Sequence, residues 1–408
     1  MFQIYPQINQ VLYCPDCSGR IKSNGIVWQG VHVCSNGICI SCGHEFLCDL
    51  PTGQGTLERF QMRKSDGNIT GSIPFPWLVN SLKEVLNNPL SDEVKVDIKY
   101  INKCPSEVII LNTMDNCYGH SLLYLLNLEK IIKYKGNYGL IVIIQPFLKW
   151  LLPTEGIDEI WTVNLSLGQL RNYYMNLNSK INDEITRFDK VFLSSANVGP
   201  KNVTIKSFTK IAPYNFDEEK QTKRVTFIWR EDVSRLWFKS WLFYGGLRKL
   251  NLAKILLPFH YLRVLFFLYL LNNKLKNDNY IITLAGLGNY GWFPKYVKDE
   301  RVKSFNYESE LSTCNIYAES ELVIGIHGSS MILPSAHAGM TICIMPSKRW
   351  GNYAEDIIFT GDDPRTSSFE KRIIPMNTTI YETRDIVLNM LKGHKYFLKK
   401  MKDSLNNL

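Results

Sequence analysis

Two Cys-x2-Cys knuckles separated by twenty-one residues, Cys14 with Cys17 and Cys39 with Cys42, constrain this chain more than any other feature; the second lies in CISCGHEF. Each knuckle presents two sulfurs to one point, so four thiolates at this spacing suit a tetrahedral zinc ion. A module this small cannot build a sufficient hydrophobic core, so the ion is expected to supply folding energy and not catalysis. Residues 1–50 are therefore predicted to form a zinc ribbon. Cys34, Cys48 and His44 are surplus and each is able in principle to replace a ligand, while a cluster of unrelated thiols is the competing reading. Between Cys14 and Asp49 the charges are Asp16, Arg20, Lys22, Glu45 and Asp49, which leaves no cationic surface for phosphate. The ribbon reads as a docking or structural appendage and not as a nucleic-acid module.

The rest of the chain is ordinary globular material. With 408 residues, 45% hydrophobic and 21% charged, it has enough apolar residues for two or three domains, and disorder and coiled coil are disfavoured. The start, MFQIYPQINQ, lacks a basic region followed by an apolar core, so no secretory leader is expected and the ten cysteines read as thiols of a reducing, cytoplasmic compartment.

Residues 51–94, with PFPW and NNPLSD as breakers, read as a linker or edge extension. From about residue 95, β-branched runs alternate with helical stretches: SEVIILN, YGHSLLYLLNLEKIIKY, YGLIVIIQ, IDEIWTV and KVFLSS. The rhythm restarts after PYNFDEEKQTK with RVTFIW, NYIITLAG, ELVIGIHG and TICIMPS. Strands alternating with helices predict parallel sheets. The fold class is α/β: two Rossmann-like βαβ domains, 95–218 and 219–380, preceded by the ribbon and followed by a helix over 381–408 that is expected to pack back across the first domain.

Charge is uneven. Residues 220–276 hold twelve Lys or Arg and two acids, a local +10 against +9 for the whole chain. The same segment is aromatic and apolar, and Ile255–Leu271 carries only His260 and Arg263 as polar side chains besides Pro258. As one helix it would gather Arg248, Lys249, Arg263 and Lys274 within an arc of about 100°. Two readings remain open for residues 247–276: an interfacial helix on an anionic leaflet at the inner face of the membrane, or a buried helix whose cationic ends snorkel.

The strand ELVIGIHG runs into the small residues SSMILPSAHAG. Gly325, Gly328, Ser329 and Ser330 would let backbone approach a diphosphate, with amides and dipole at the helix start favouring the anion. An ordinary strand-to-helix turn with a core histidine is the alternative.

With its Arg-bearing first strand, IITLAG, and YAESELVIGIHGSSMILPSAHAG before a further strand, this half resembles the nucleotide-sugar domain of GT-B glycosyltransferases. The heptosyltransferase-like and fucosyltransferase-like branches, of the kind found in bacterial surface-polysaccharide clusters, are nearest. The resemblance spans roughly residues 105–365. It implies two domains facing across a cleft, with His327, Gly328, Ser329 and Ser330 on the donor diphosphate or sugar. It further implies Arg230 on the donor phosphates, where a guanidinium fork offsets charge on the leaving nucleotide. Arg235 is a second such residue, and Glu355 with Asp356 stand where related enzymes read ribose hydroxyls. The first domain would then hold the acceptor and a base. Asp115 and His120, at the strand-to-helix junction TMDNCYGHS, are the candidates, with helix capping as the structural alternative.

No D-x-D sequence occurs, so a metal-independent transfer is expected; a P-loop and a G-x-S-x-G elbow are also missing. The resulting expectation is transfer of a sugar from a nucleotide-sugar to a glycan or lipid-linked acceptor. The rivals are a polysaccharide pyruvyl transferase and a non-catalytic zinc-ribbon protein that binds a nucleotide.

Overall fold

The β-branched runs become strands, and the cysteine-rich start becomes a separate antiparallel sheet. The structure, a computed structural model, describes residues 1–56, 59–71, 76–197, 204–216, 218, 221–232, 236–237, 246–247, 250, 252–353, 355, 357–358 and 371–406. The chain divides into two units, Met1–Pro200 and Lys201–Leu408.

In the first unit β1 (Phe2–Tyr5) leaves the ribbon and joins the α/β sheet. The ribbon is a meander of β2 (Leu12–Tyr13), β3 (Arg20–Trp28), β4 (Val33–Cys39), β5 (Glu45–Asp49), β6 (Phe60–Arg63) and β7 (Ile69–Gly71), each antiparallel to the next. The sheet therefore runs on through residues 60–71. It is no loose appendage, because Trp28, Val33 and Leu50 share one core with Ile110, Ile141 and Trp161 of the α/β sheet. Trp28 has no exposed surface; its amide donates to Asn178 Oδ1 (2.9 Å) and its indole to Asn182 Oδ1 (3.2 Å). The two asparagines sit four apart on helix Met175–Ile185, hence on one face. Removing a buried indole costs about 3–5 kcal/mol, so this contact is a major tie between ribbon and domain.

The α/β sheet adds β8 (Val96–Tyr100), β9 (Glu107–Asn112), β10 (Gly139–Ile144), β11 (Glu159–Val163) and β12 (Lys190–Leu193), in the order β1-β12-β9-β10-β11-β8. Strands β9 to β12 are parallel and the two outer strands antiparallel. The stretch expected as one helix after β9 is two, Tyr118–Leu125 and Leu128–Tyr134. Asn127 breaks it, its amide donating to the carbonyls of Tyr124 (2.9 Å) and Asn197 (2.8 Å).

The second unit is a wholly parallel sheet of β13 (Lys223–Arg230), β14 (Tyr280–Leu287), β15 (Val297–Val302), β16 (Leu322–Ile326), β17 (Met340–Met345) and β18 (Lys371–Pro375), ordered β15-β14-β13-β16-β17-β18. Counted from its own first strand this is 3-2-1-4-5-6, the doubly wound order of dinucleotide-binding folds. Both units are thus Rossmann-like α/β structures, as expected.

Helix Leu257–Leu275 buries Val264, Phe267, Leu268 and Leu271 against this sheet. The expected basic arc is not formed. Arg263 turns inward, its guanidinium over the Trp237 ring (4.6 Å to the centroid) and donating to the Thr378 carbonyl (3.0 Å), because its long stem reaches that carbonyl from the buried side. Arg248 and Lys249 lie outside the described residues. The last helix, Ile380–Asn406, starts with a Thr379–Glu382 capping box and places Val387 and Leu391 in the second unit's core. Its first half therefore belongs to the second unit.

His260 is also inside, accepting from the Trp237 amide at Nδ1 (3.0 Å) beneath the Trp229 ring. Burial, and then the Arg263 charge, push its pKa from 6.5 down to about 3; burial lowers that of His337 to about 4. Both rings stay neutral in the fold and take up protons only on unfolding, so stability falls as pH drops below about 6.5. The melting temperature is expected to decline between about pH 6.5 and pH 4, and His260→Gln to flatten that slope in calorimetry. Parallel slopes for the two proteins would remove the linkage to His260.

Candidate functional site

In a doubly wound sheet, ligands sit beyond the carboxyl ends of the strands where the winding reverses. In the second unit that point lies between β13 and β16, and the chain puts Arg230 at the end of the first and the His327–Ser330 loop at the end of the second. Arg230 crosses the gap: Nη1 donates to Ser330 Oγ (3.1 Å) and Nε to Asp232 Oδ2 (2.6 Å). A phosphate competing for this fork has to displace Asp232, whose side chain is two-fifths exposed.

The loop differs in detail from the sequence reading. Gly328 has φ +140°, a conformation that favours glycine, and opens a 3-10 turn over Ser329–Met331. The helix that follows, Ile332–His337, has six residues, so its dipole adds little and side chains carry the attraction for an anion. Gly325 faces no ligand: a Cβ there would lie 2.4 Å from Met331 Sδ, so this glycine admits the methionine. His327 is 3% exposed, its ring packed 3.6 Å from Cys343 Sγ on the neighbouring strand. Ser329 and Ser330 are the half-exposed members of the loop. Glu355 is exposed on the turn after Ser347–Asn352 and accepts from the Asn352 amide. Arg235 and Asp356 lie outside the described residues.

The sequence reading passed over Glu231. It accepts from the Trp229 indole (2.9 Å) and the Tyr290 amide (2.6 Å), while Arg301 donates to the carbonyls of Tyr290 (2.6 Å) and Gly291 (3.0 Å). The glycine-rich loop after β14 is thereby fixed beside Arg230's strand with Trp292, 72% exposed, upon it. The run LAGLGNYGWFP was the available signal.

In the first unit the winding reverses between β12 and β9, and Asp115 and His120 follow β9. Asp115 has no exposed surface; it accepts from the Cys117 amide (2.7 Å), the Tyr124 hydroxyl (3.1 Å) and faces His120 Nδ1 (3.2 Å). Burial, together with the Asp115 charge, drives the Tyr124 phenol well above its usual pKa, so it remains a donor. The His120 side chain is 35% exposed, so of the pair it alone can meet a substrate.

A third partner comes from the ribbon. The strap leaving β5 crosses this crevice, with Thr52 Oγ1 donating to the Ser194 carbonyl (2.8 Å) and the Gly53 amide to the Ser195 carbonyl (2.9 Å). Gly53, at φ +54°, packs against the Tyr124 ring, and Gln54 Nε2 lies 2.7 Å from His120 Nδ1. Gln54 and Asp115 thus meet the same ring nitrogen. With Nδ1 accepting from the amide, the proton of the neutral ring is on Nε2; with Nδ1–H directed at Asp115, Nε2 is the accepting nitrogen of the ring. A concavity of about 630 Å³, lined in part by Lys103, Pro105, Glu159 and Arg187, opens at the amino ends of the parallel strands, where Arg187 already pairs Glu159 (2.7 Å). Parallel sheets direct their loops' chemistry to the other end.

The four named cysteines converge: all four Sγ atoms lie within 4.8 Å of one another, with Cys14–Cys42 at 3.7 Å and Cys17–Cys39 at 3.5 Å. A regular tetrahedron with zinc–sulfur bonds of 2.3 Å has edges of about 3.8 Å, so the cluster fits the ion. The left-handed Ser18 (φ +58°) and Gly43 (φ +73°) close the two knuckles. Backbone amides, that of Cys42 first, pull the Cys39 thiol down to about 6, while Cys17 and Cys42 beside it are pushed up, so the sulfurs titrate as one cluster. The surplus residues are not among the converging sulfurs: Cys34 lies in a separate apolar cluster, Cys48 packs in one cluster with Cys14 and Cys39, and His44 is on Asp16 (2.8 Å).

No protein-family model and no curated protein sequence matches the chain. Among solved structures, ADP-heptose LPS heptosyltransferase II of E. coli is similar over 71% of this chain and 99% of that one, at 8% identity and a TM-score of 0.36. The arrangement of this chain's own residues carries the functional reading.

Purified protein is expected to hold about one zinc per chain. Because the ribbon shares its core with the α/β sheet, Cys39→Ser should lose the metal and lower the melting temperature of the first unit as well. Metal-free protein with unaltered melting would retire the site.

Proposed function

We propose that the chain is a glycosyltransferase that moves a sugar from a nucleotide-sugar to a glycan or lipid-linked acceptor in surface-polysaccharide synthesis. The observation that carries this reading is the Arg230–Ser330 pair spanning the winding reversal of a 3-2-1-4-5-6 sheet. There a guanidinium fork and a hydroxyl meet the donor diphosphate, Arg230 offsetting the charge that grows on the leaving nucleotide. Ser329 adds a second hydroxyl, Trp292 offers a flat apolar face, and Glu355 is assigned to ribose hydroxyls.

On the acceptor side His120 is the base and Asp115 its orienting partner, because Asp115 is sealed. His120 Nε2 takes the proton of the acceptor hydroxyl as oxygen attacks the anomeric carbon, and Asp115 holds the resulting imidazolium. Transfer without a catalytic metal, zinc confined to the ribbon and a cytoplasmic location complete the proposal.

Nucleoside diphosphates and nucleotide-sugars should raise the melting temperature, since a ligand of the native state stabilises it. Arg230→Ala is expected to weaken that binding about tenfold or more. A shift with phosphoenolpyruvate alone would move the reading to pyruvyl transfer, and nucleotide binding without sugar turnover to a regulatory role. His120→Ala should lower kcat by about 10²-fold or more while donor affinity holds; unchanged kcat would remove His120 from the chemistry.

A further inference from the structure

Helix Leu257–Leu275 breaks the usual rule for a surface helix, because its outward face carries no charge before Lys274 in the last turn. Ile255, just before it, and Phe259, Leu262, Phe266 and Tyr269 are between 40% and 57% exposed and recur at three- and four-residue spacing, which makes them one stripe. Arg263, the one charged side chain within Leu257–Asn273, is turned under Trp237. Exposed lysines stand at both ends of the stripe, Lys254 before it and Lys274 and Lys276 after it.

The stripe continues onto the last helix. Tyr381, 54% exposed, meets the Phe266 ring edge-on (6.0 Å), and at helical spacing the Tyr381 side also carries Lys392, Tyr396 and Lys399, all exposed. Of the acids nearby, Glu382 is engaged in the helix's capping box and Asp385 with Arg384 (2.6 Å), and Asp278, beyond Lys276, is exposed.

Lys254–Leu275 is long and apolar enough to cross a bilayer, yet one third of it is buried. Val264, Phe267, Leu268 and Leu271 are part of the sheet's core, so crossing would strip the second unit of its packing. A helix that keeps one face in the protein and offers the other, apolar and bounded by lysines, is built to lie in an interface.

We infer that the outward faces of helices Leu257–Leu275 and Ile380–Asn406 dock the second unit on an anionic lipid surface. Phe259, Leu262, Phe266 and Tyr269 enter the headgroup boundary and the lysines meet lipid phosphates. Charge complementarity selects this occupant: the flanking cations match an anionic leaflet and would repel one another across a symmetric contact with a second copy. The inference stands apart from the sugar-transfer reading and is tested without any donor or acceptor.

The full chain is sedimented with vesicles of phosphatidylcholine, with and without phosphatidylglycerol. Binding is expected only with phosphatidylglycerol and should weaken as salt rises. The Leu262→Glu/Phe266→Glu double variant should bind at least about tenfold less, because two carboxylates replace apolar contacts at an anionic surface. Lys274→Glu/Lys399→Glu should bind less at low salt, each lysine counting for about a fivefold change. All four positions are exposed, so unchanged melting temperatures check the fold. Absence of binding to phosphatidylglycerol vesicles would overturn the inference, as would undiminished binding by the Leu262/Phe266 variant. So would a dimer in light scattering that this variant dissociates while vesicles go unbound.

Discussion

Burial of the ribbon's inner face against the first α/β sheet is the contact on which the candidate acceptor side depends. A short antiparallel meander has one face to bury and too few residues to cover it. Trp28, Val33 and Leu50 cover it with the neighbouring sheet's own core, and Asn178 and Asn182 satisfy the polar atoms of Trp28. Once docked, the chain has one way out of β5: the strap across the ends of β9 and β12. The four-cysteine cluster, the indole and Gln54 beside His120 are all carried by this meander and the strap that leaves it.

The two units handle the same topological opportunity differently. In the first, the crevice at the winding reversal is crossed by the strap, and the polar groups left there are a buried carboxylate, a half-exposed imidazole and an amide that share one ring nitrogen. That arrangement handles a proton. In the second, the crevice is bridged by a guanidinium and a hydroxyl, an arrangement that handles an anion. Asp232 sits on the fork as a built-in competitor, so a ligand must offer a better bidentate partner than one carboxylate.

The parallel strands were legible because runs such as EVIILN and TICIM are short, apolar and bounded by breakers, and both knuckles because C-x2-C spacing is a local property. Arg230 and Ser330 were legible as separate strand-end residues. Their meeting was not, since it joins positions 100 apart. Gln54 and His120 meet across 66 residues through a strap that no periodicity announces. Orientation was the other blind spot. His327, Arg263 and His260 carry polar groups at plausible outward positions, and packing turned all three inward where a thiol, a carbonyl or a backbone amide received them. The helix expected after β16 shrank to six residues, and with it the reason for expecting a backbone anion site.

Gly325 gives the Arg230–Ser330 bridge an unusual dependence. Its missing side chain lets Met331 come down onto β16 beside Ile228, and Met331 is the next residue after Ser330. The height of the serine hydroxyl above Arg230 is therefore inherited from a thioether settling into a notch in the sheet. A Cβ at position 325 would have to push that thioether out of the notch, so a change in the interior would reach the residue beside the serine at the surface.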